Sequence, residues 1–233
     1  MRAALIALLL WGAALPAAAR CRLALALGFD VSASVNDHQY GLMMRGTATA
    51  LRDPEVRAAA LTGAPVALVA YVWAGRREQA VAAWWTLVEH EADLDAFAAR
   101  IEAFPRPAGD PLGVWSNRTG VGAALLAGAR LFDRGPACDA RTIDLASDGE
   151  TNDGPRSARL DGITVNALAI GGDLLTDHEG ATTPPLSDWY RTFVIQGPGA
   201  FVMIADSYDD FAEAMRRKLL RELTPLLLGQ LGG

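Results

Sequence analysis

The stretch GFDVSASVND, residues 28–37, places an aspartate and two serines on alternate positions directly after the apolar run 23–29. Such an apolar run predicts a buried strand that ends near Asp30. Because side chains alternate, those of residues 30, 32 and 34 converge if the turn folds around an ion, while Val31 packs away. Ser34 or Asn36 would also suit the N-cap of the helix that follows, so a capping role is the structural alternative.

The composition indicates one folded domain. The 233 residues are 51% apolar and 21% charged, with a formal net charge of −6. A chain of this size buries one sizeable core and needs no second domain. The negative balance argues against a nucleic-acid surface or a polybasic membrane patch, so we expect no nucleic-acid partner.

Residues 1–19 have the pattern of a secretory signal peptide. Arg2 is followed by the apolar stretch 3–15, and the small-residue run 17–19 suits cleavage near Ala19. The apolar part is shorter than the about 20 residues of a spanning helix, so a membrane anchor is the weaker interpretation. The expected mature chain is a single domain over residues 20–233, periplasmic or secreted, with no membrane span.

Beyond the signal, short strand-like runs alternate with segments of helical period. This alternation predicts an α/β sheet with helices on both faces. The predicted strands are residues 23–29, 65–73, 79–88, 142–146, 163–170 and 200–205. The second and third are separated by a link too short for a crossover helix, so we expect them to be antiparallel neighbours.

The last helix is predicted from an apolar stripe. Asp206 or Ser207 is the expected N-cap, and Pro225 the expected end. The stripe consists of Tyr208, Phe211, Met215, Leu219 and Leu223.

Three separate segments carry hard oxygen ligands. Asp30, Ser32 and Ser34 follow the first strand, Thr119 immediately precedes a helix, and Asp148 follows the fourth strand. Residues just past the carboxyl ends of strands line a common crevice in an open α/β sheet, so these segments can form one site. Hard divalent ions take oxygen ligands, and Mg²⁺ uses only one or two carboxylates. The alternative is two helix caps and an Asp-Gly turn, each ordinary on its own.

This pattern resembles the metal-ion-dependent adhesion site of von Willebrand factor type A (vWA) domains: Asp-x-Ser-x-Ser, then a Thr, then an Asp after the fourth strand. The resemblance covers essentially the whole mature chain, and more narrowly it is to an exported bacterial branch of unknown function. It implies a Rossmann-like, doubly wound, mostly parallel six-stranded sheet with one antiparallel edge strand. The metal ligands that it implies are Asp30, Ser32, Ser34, Thr119 and Asp148.

The resemblance also implies a binding protein and not an enzyme. Mg²⁺ is the expected ion, with Mn²⁺ or Ca²⁺ as alternatives, and one open coordination position would take an acidic side chain of a protein partner. Two other classes stay open: a hydrolase or phosphotransferase with the ion as Lewis acid, and a scaffold whose ion only stabilises loops. The hydrolase lacks a visible general base, since the motif loops contain no histidine.

The two cysteines gain a predicted arrangement from the same resemblance. Cys21 and Cys138 precede Asp30 and Asp148 by nine and ten residues. If the first and fourth strands are neighbours, as in vWA domains, both sulfurs lie at the end of the sheet opposite the ion. We therefore expect a disulfide between the strand entrances, with two buried free thiols as the alternative.

Overall fold

The computed structural model describes residues 21–107, 118–171 and 185–225. The signal peptide predicted for residues 1–19 lies outside the described residues. The strands are β1 (Cys21–Asp30), β2 (Val66–Trp73), β3 (Gln79–Val88), β4 (Cys138–Ser147), β5 (Thr164–Ile170) and β6 (Val202–Ala205). The helices are α1 (Asp37–Arg52), α2 (Pro54–Leu61), α3 (Glu91–Ala103), α4 (Val121–Phe132), α5 (Leu186–Phe193) and α6 (Phe211–Leu223).

The six strands form one sheet in the order β3-β2-β1-β4-β5-β6. All neighbours are parallel except β2 and β3, which pair antiparallel at one edge. This confirms the predicted doubly wound sheet with an antiparallel edge strand. The strand order changes direction between β1 and β4, and a crevice at such a switch point is where open α/β sheets bind ligands.

The burial of each strand follows its place in the sheet. All eight residues of β2, an interior strand, are buried, whereas most residues of the edge strand β3 are exposed or half-buried. Four helices, α1, α2, α3 and α6, pack on the face of the sheet that carries Leu25, Leu27 and Phe29. Helices α4 and α5 cover the other face, where β1 contributes the smaller Ala24 and Ala26.

The beginning of α6 differs from the prediction. The helix begins at Phe211 with Asp210 as its N-cap, so the predicted cap at Asp206 or Ser207 is wrong. Ser207 Oγ instead donates to Asp210 Oδ2 at 2.7 Å, and Asp210 N donates to Ser207 O at 3.2 Å. These bonds close a turn before the helix, and Tyr208 therefore lies outside the helical stripe.

A disulfide joins the first residues of β1 and β4. Cys21 and Cys138 are register partners, with 4.4 Å between their Cα atoms and an S–S distance of 2.06 Å. The predicted pairing is confirmed, and it lies at the opposite end of both strands from Asp30 and Ser147. Within the described ranges, every helix is too short or too polar to cross a bilayer.

Replacing both cysteines by alanine should lower the free energy of unfolding. The disulfide closes a sequence separation of 117 residues, and the chain-entropy model gives about 4 to 5 kcal/mol for a loop of that length. Urea denaturation of the oxidised protein and of the double variant measures the difference. Reductant should destabilise the wild type and leave the double variant unchanged; an unchanged wild type would contradict the prediction.

Candidate functional site

Asp30 is the buried anchor of the site. It is the last residue of β1, and none of its surface is exposed. Its Oδ1 accepts a hydrogen bond from the Ser32 backbone N at 2.8 Å, and its Oδ2 accepts one from Ser147 Oγ at 2.5 Å. The carboxylate is therefore held in one orientation by β1's own turn and by the end of β4.

The two serines after Asp30 converge with Asp148, which lies on another strand end. Ser32 Oγ lies 3.3 Å from Ser34 Oγ, and Ser34 Oγ donates to Asp148 Oδ1 at 2.6 Å. Ser32 is buried, whereas Ser34 is exposed and Asp148 half-buried. The oxygens thus lead from the interior to the surface at the carboxyl ends of β1 and β4.

The N-cap of α1 is Asn36 and not Ser34. Asn36 Oδ1 accepts from Gln39 N at 3.0 Å, and Gln39 Oε1 accepts from Asn36 N at 2.8 Å, which completes a capping box. Neither Ser32 nor Ser34 caps the beginning of the helix. Their hydroxyls remain directed at Asp148 and at each other.

Thr119 is brought to the same edge by the loop after β4. Its backbone N donates to Asn152 Oδ1 at 2.9 Å, and its carbonyl accepts from the N–H groups of Asn152 and Asp153 at 2.9 and 3.0 Å. The Thr119 hydroxyl lies 3.9 Å from the position that a Cβ on Gly149 would occupy. All five predicted ligands therefore lie on three adjoining segments, and Asn152 and Asp153 hold the backbone of Thr119 in place.

Glycines at the start of α4 allow this close approach. A Cβ on Gly120 would lie 2.9 Å from Arg76 N, and one on Gly122 would lie 2.3 Å from Pro155 O. Gly120 N donates to Ala74 O at 2.8 Å. The first turn of α4 thus packs tightly against both the loop after β2 and the loop after β4. These two contacts position Thr119.

Tyr208 is a site residue that the sequence analysis missed. Its hydroxyl donates to Asp148 Oδ2 at 3.1 Å, so the two oxygens of Asp148 are held by Ser34 and Tyr208. Tyr208 continues the apolar spacing of α6, so the sequence predicts that it belongs to that helix. Only the turn before α6 brings the tyrosine to the site.

The electrostatics of the site favour a cation. Burial raises the pKa of Asp30 to about 7, and the negative charge of Asp148 adds to this effect, although hydrogen bonds from Ser147 and Ser32 oppose it. A bound cation would compensate both carboxylates. Among the described residues no group of three or more His, Cys, Asp or Glu side chains is arranged to hold a metal.

An open cleft of about 500 Å³ lies beside Asp148. Its lining combines apolar side chains with polar and acidic ones. The lining residues include His38, Gln39, Leu42, Leu186, Tyr208 and Asp209. A partner that reaches Asp148 would therefore find further contact surface on the side of α1 and the turn before α6.

Comparison with known proteins places the chain in a family and a fold. Residues 20–227 match the family described as "Protein of unknown function (DUF1194)". No curated protein matches the sequence.

Several solved structures share the fold. A von Willebrand factor type A protein from Catenulispora acidiphila is 17% identical, covers 87% of this chain and 43% of its own, and has a TM-score of 0.58. The pilus adhesin SpaC from Lactobacillus rhamnosus GG is 13% identical over 87% of this chain and 31% of its own, with a TM-score of 0.58. Proximal thread matrix protein 1 from the mussel byssus, with a zinc-occupied MIDAS motif, is 16% identical over 88% of this chain and 48% of its own, with a TM-score of 0.52. The chain spans less than half the length of these structures, and at these identities the similarity shows the vWA fold.

Asp30→Asn should stabilise the protein in EDTA. The folded-state pKa of Asp30 is raised to about 7 from 3.8, so the metal-free wild type should lose stability as the pH rises between these values. The neutral amide removes that cost, which is roughly 1 to 4 kcal/mol at pH 8 by the pKa-to-energy relation. Denaturation at pH 8 measures the gain in the free energy of unfolding. Asp148→Asn is the control, and it should give a smaller gain because its position is only half-buried. A less stable Asp30→Asn protein would count against this account.

Gly122→Ala should displace the loop that supports Thr119. Its new Cβ would overlap Pro155 O, and overpacking of this kind costs roughly 1 to 3 kcal/mol. Gly149→Ala is the matched control, because a Cβ there has no neighbour closer than 3.9 Å. Thermal denaturation of both variants tests the difference. Equal effects of the two substitutions would show that the close contact at Gly122 is not limiting.

Proposed function

The chain belongs to the DUF1194 family and has the vWA fold, and on that premise we propose that it is an exported, metal-dependent protein-binding module. The observation that carries the proposal is the convergence of Ser34 and Asp148 at the switch point of the sheet, where Ser34 Oγ lies 2.6 Å from Asp148 Oδ1. A hydroxyl from one strand end and a carboxylate from another meet there without a basic side chain between them. Metal coordination is the chemistry that such an oxygen cluster suits.

The proposed ligands are the five residues of the predicted motif. Two carboxylates would balance the charge of a divalent ion, and three hydroxyls would coordinate it without adding charge. The ligands are Asp30, Ser32, Ser34, Thr119 and Asp148. Mg²⁺ is the proposed ion, with Mn²⁺ as the nearest alternative; Ca²⁺ takes six to eight oxygen ligands and would need more from water or the partner.

The residues around the proposed ligands fix the buried side of the site and leave the other side open. Ser147 and the backbone of Ser32 hold the buried Asp30, so that ligand stays fixed. Ser34 is exposed, so the site opens to the surface on that side. When bound, the ion supplies a Lewis-acidic position for an acidic side chain of the partner. The zinc in the motif of proximal thread matrix protein 1 supports a divalent ion at this type of site.

Export and adhesion are part of the same proposal. The Cys21–Cys138 disulfide is typical of proteins from oxidising compartments, and the pattern of residues 1–19 is that of a signal peptide. The fold shared with a pilus adhesin is in keeping with a role in binding. We therefore propose a location in the periplasm or outside the cell.

Mg²⁺ should raise the melting temperature of the wild type, and Asp30→Ala should abolish the shift. A ligand present at a hundred times its Kd stabilises the folded state by about 2.7 kcal/mol. Asp209→Ala is the matched control, since this aspartate lines the cleft but is not among the proposed ligands; it should keep the shift. A wild type that does not respond to Mg²⁺ or Mn²⁺, or an Asp30→Ala protein that responds equally, would sink the proposal.

Partner recognition is tested with peptides that contain Asp or Glu and with matched peptides that contain Asn or Gln instead. Binding to immobilised protein should require Mg²⁺, should occur with peptides that contain Asp or Glu, and should disappear with Asn or Gln in their place. Turnover of generic phosphate esters that is lost in Asp148→Ala would instead favour the metal-dependent hydrolase. Metal binding without either property would leave the scaffold role.

A further inference from the structure

A lysine and two carboxyl groups are buried together between α6 and β4. Lys218 Nζ lies 2.9 Å from Asp144 Oδ1 in β4 and 2.6 Å from Glu222 Oε1, one turn further along α6. The exposed fractions of the Lys218, Asp144 and Glu222 side chains are 0%, 1% and 2%. Ion pairs of Lys with Asp or Glu are seldom buried to this degree.

Full ionisation would leave the cluster with an uncompensated charge. Fully ionised, one lysine and two carboxylates would leave a net negative charge in the core, which is costly. Within the described residues, both Asp144 oxygens and Glu222 Oε2 are buried without a hydrogen-bond partner. Burial raises the pKa of Asp144, and the charge of Glu222 raises it further against the opposing effect of Lys218. The neutral acid is therefore the favoured form of Asp144.

The amine of Lys218 lies close to the carboxyl group of Asp144. The distance from Lys218 Nζ to Asp144 Oδ1 is 2.9 Å, and both side chains are buried. The amine is thus within reach of the carboxyl group to which Oδ1 belongs. Holding two reacting groups at such a separation replaces a bimolecular encounter by an intramolecular one, which contributes greatly to rate.

The surroundings suit a condensation. Phe201, itself buried, lies with its ring centroid 4.7 Å from Lys218 Nζ and shields the cluster from water. Asn166 Nδ2 donates to Glu222 Oε1 at 2.7 Å, which keeps that oxygen beside the amine. Exclusion of water favours a reaction that releases water and removes two charges from the interior.

We propose that Lys218 and Asp144 form an intramolecular isopeptide bond, with Glu222 as the proton carrier. Glu222 accepts a proton from the lysine ammonium, and the freed Nζ lone pair attacks Cγ of the Asp144 carboxylic acid. The new C–N bond forms, Glu222 gives the proton to the departing hydroxyl, and the C–O bond breaks as water leaves. Glu222 then takes the second proton from the nitrogen of the new amide and ends as the neutral acid. One amine and one carboxylic acid give one amide and one water, so no oxidant or nucleotide is required.

The bond would fix α6 to the middle of β4. The turn that precedes α6 carries Tyr208, whose hydroxyl contacts Asp148. The helix is therefore also connected to the proposed ligands at the carboxyl ends of β1 and β4. The bond itself does not depend on a metal. Its presence or absence can therefore be decided separately from the proposed binding function.

Peptide mapping of the full chain tests the proposal without any variant. Trypsin cleaves after Arg141 and Arg156 and after Arg217 and Arg221, so residues 142–156 and 218–221 should appear as one branched peptide. After denaturation and reduction, its mass should be the sum of both peptides less one water, and free 142–156 peptide should be absent. Recovery of that free peptide at its full mass in wild-type protein would overturn the proposal. Loss of ammonia with a link to Asn166 would overturn it too, since the acceptor would then be wrong.

Two variants separate the roles of the residues. Lys218→Arg keeps a positive charge but removes the primary amine, and it should release the 142–156 peptide completely. Glu222→Gln keeps the shape but not the proton carrier, and it should leave most of the protein unlinked while the Cys21–Cys138 disulfide still forms. If Glu222→Gln is as fully linked as the wild type, the proton-carrying role is refuted.

Discussion

Parallel pairing of β1 with β4 is the constraint on which the rest of this structure depends. The register places Cys21 beside Cys138 at one end and Phe29 beside Ala146 at the other. Because both strands run the same way, their carboxyl ends meet, and Asp30 reaches Ser147 while Ser34 reaches Asp148. Residues more than a hundred positions apart thus become neighbours through one ladder of backbone hydrogen bonds.

The strands, the antiparallel edge and the ligand motif were predictable because each has a local signal. The apolar run before Asp30 and the short link between β2 and β3 are visible in the sequence and largely decide the sheet. The choice of Asn36 over Ser34 as the N-cap of α1 was not predictable, because both residue types suit an N-cap. It is decided by the partner that Gln39 offers on the next turn.

The features that sequence reasoning missed all depend on contacts between distant segments. Tyr208 matches an apolar helix face by spacing, and only the turn before α6 reveals its bond to Asp148. The contact of Lys218 with Asp144 has no local signal in the sequence, because it requires α6 to lie across β4. Likewise, the hydrogen bonds between Asn152 and the backbone of Thr119 join segments 33 residues apart and have no local signal in the sequence.

The disulfide also has a mechanical consequence. A partner held at the carboxyl ends of β1 and β4 would pull on both strands along their length, and a ladder of hydrogen bonds alone would resist their sliding past one another. Cys21 and Cys138 tie the far ends of the same two strands together. Tension applied at the exposed edge would therefore reach a covalent link before these strands could shear apart, and reduction of that link would leave only the backbone hydrogen bonds to resist the force.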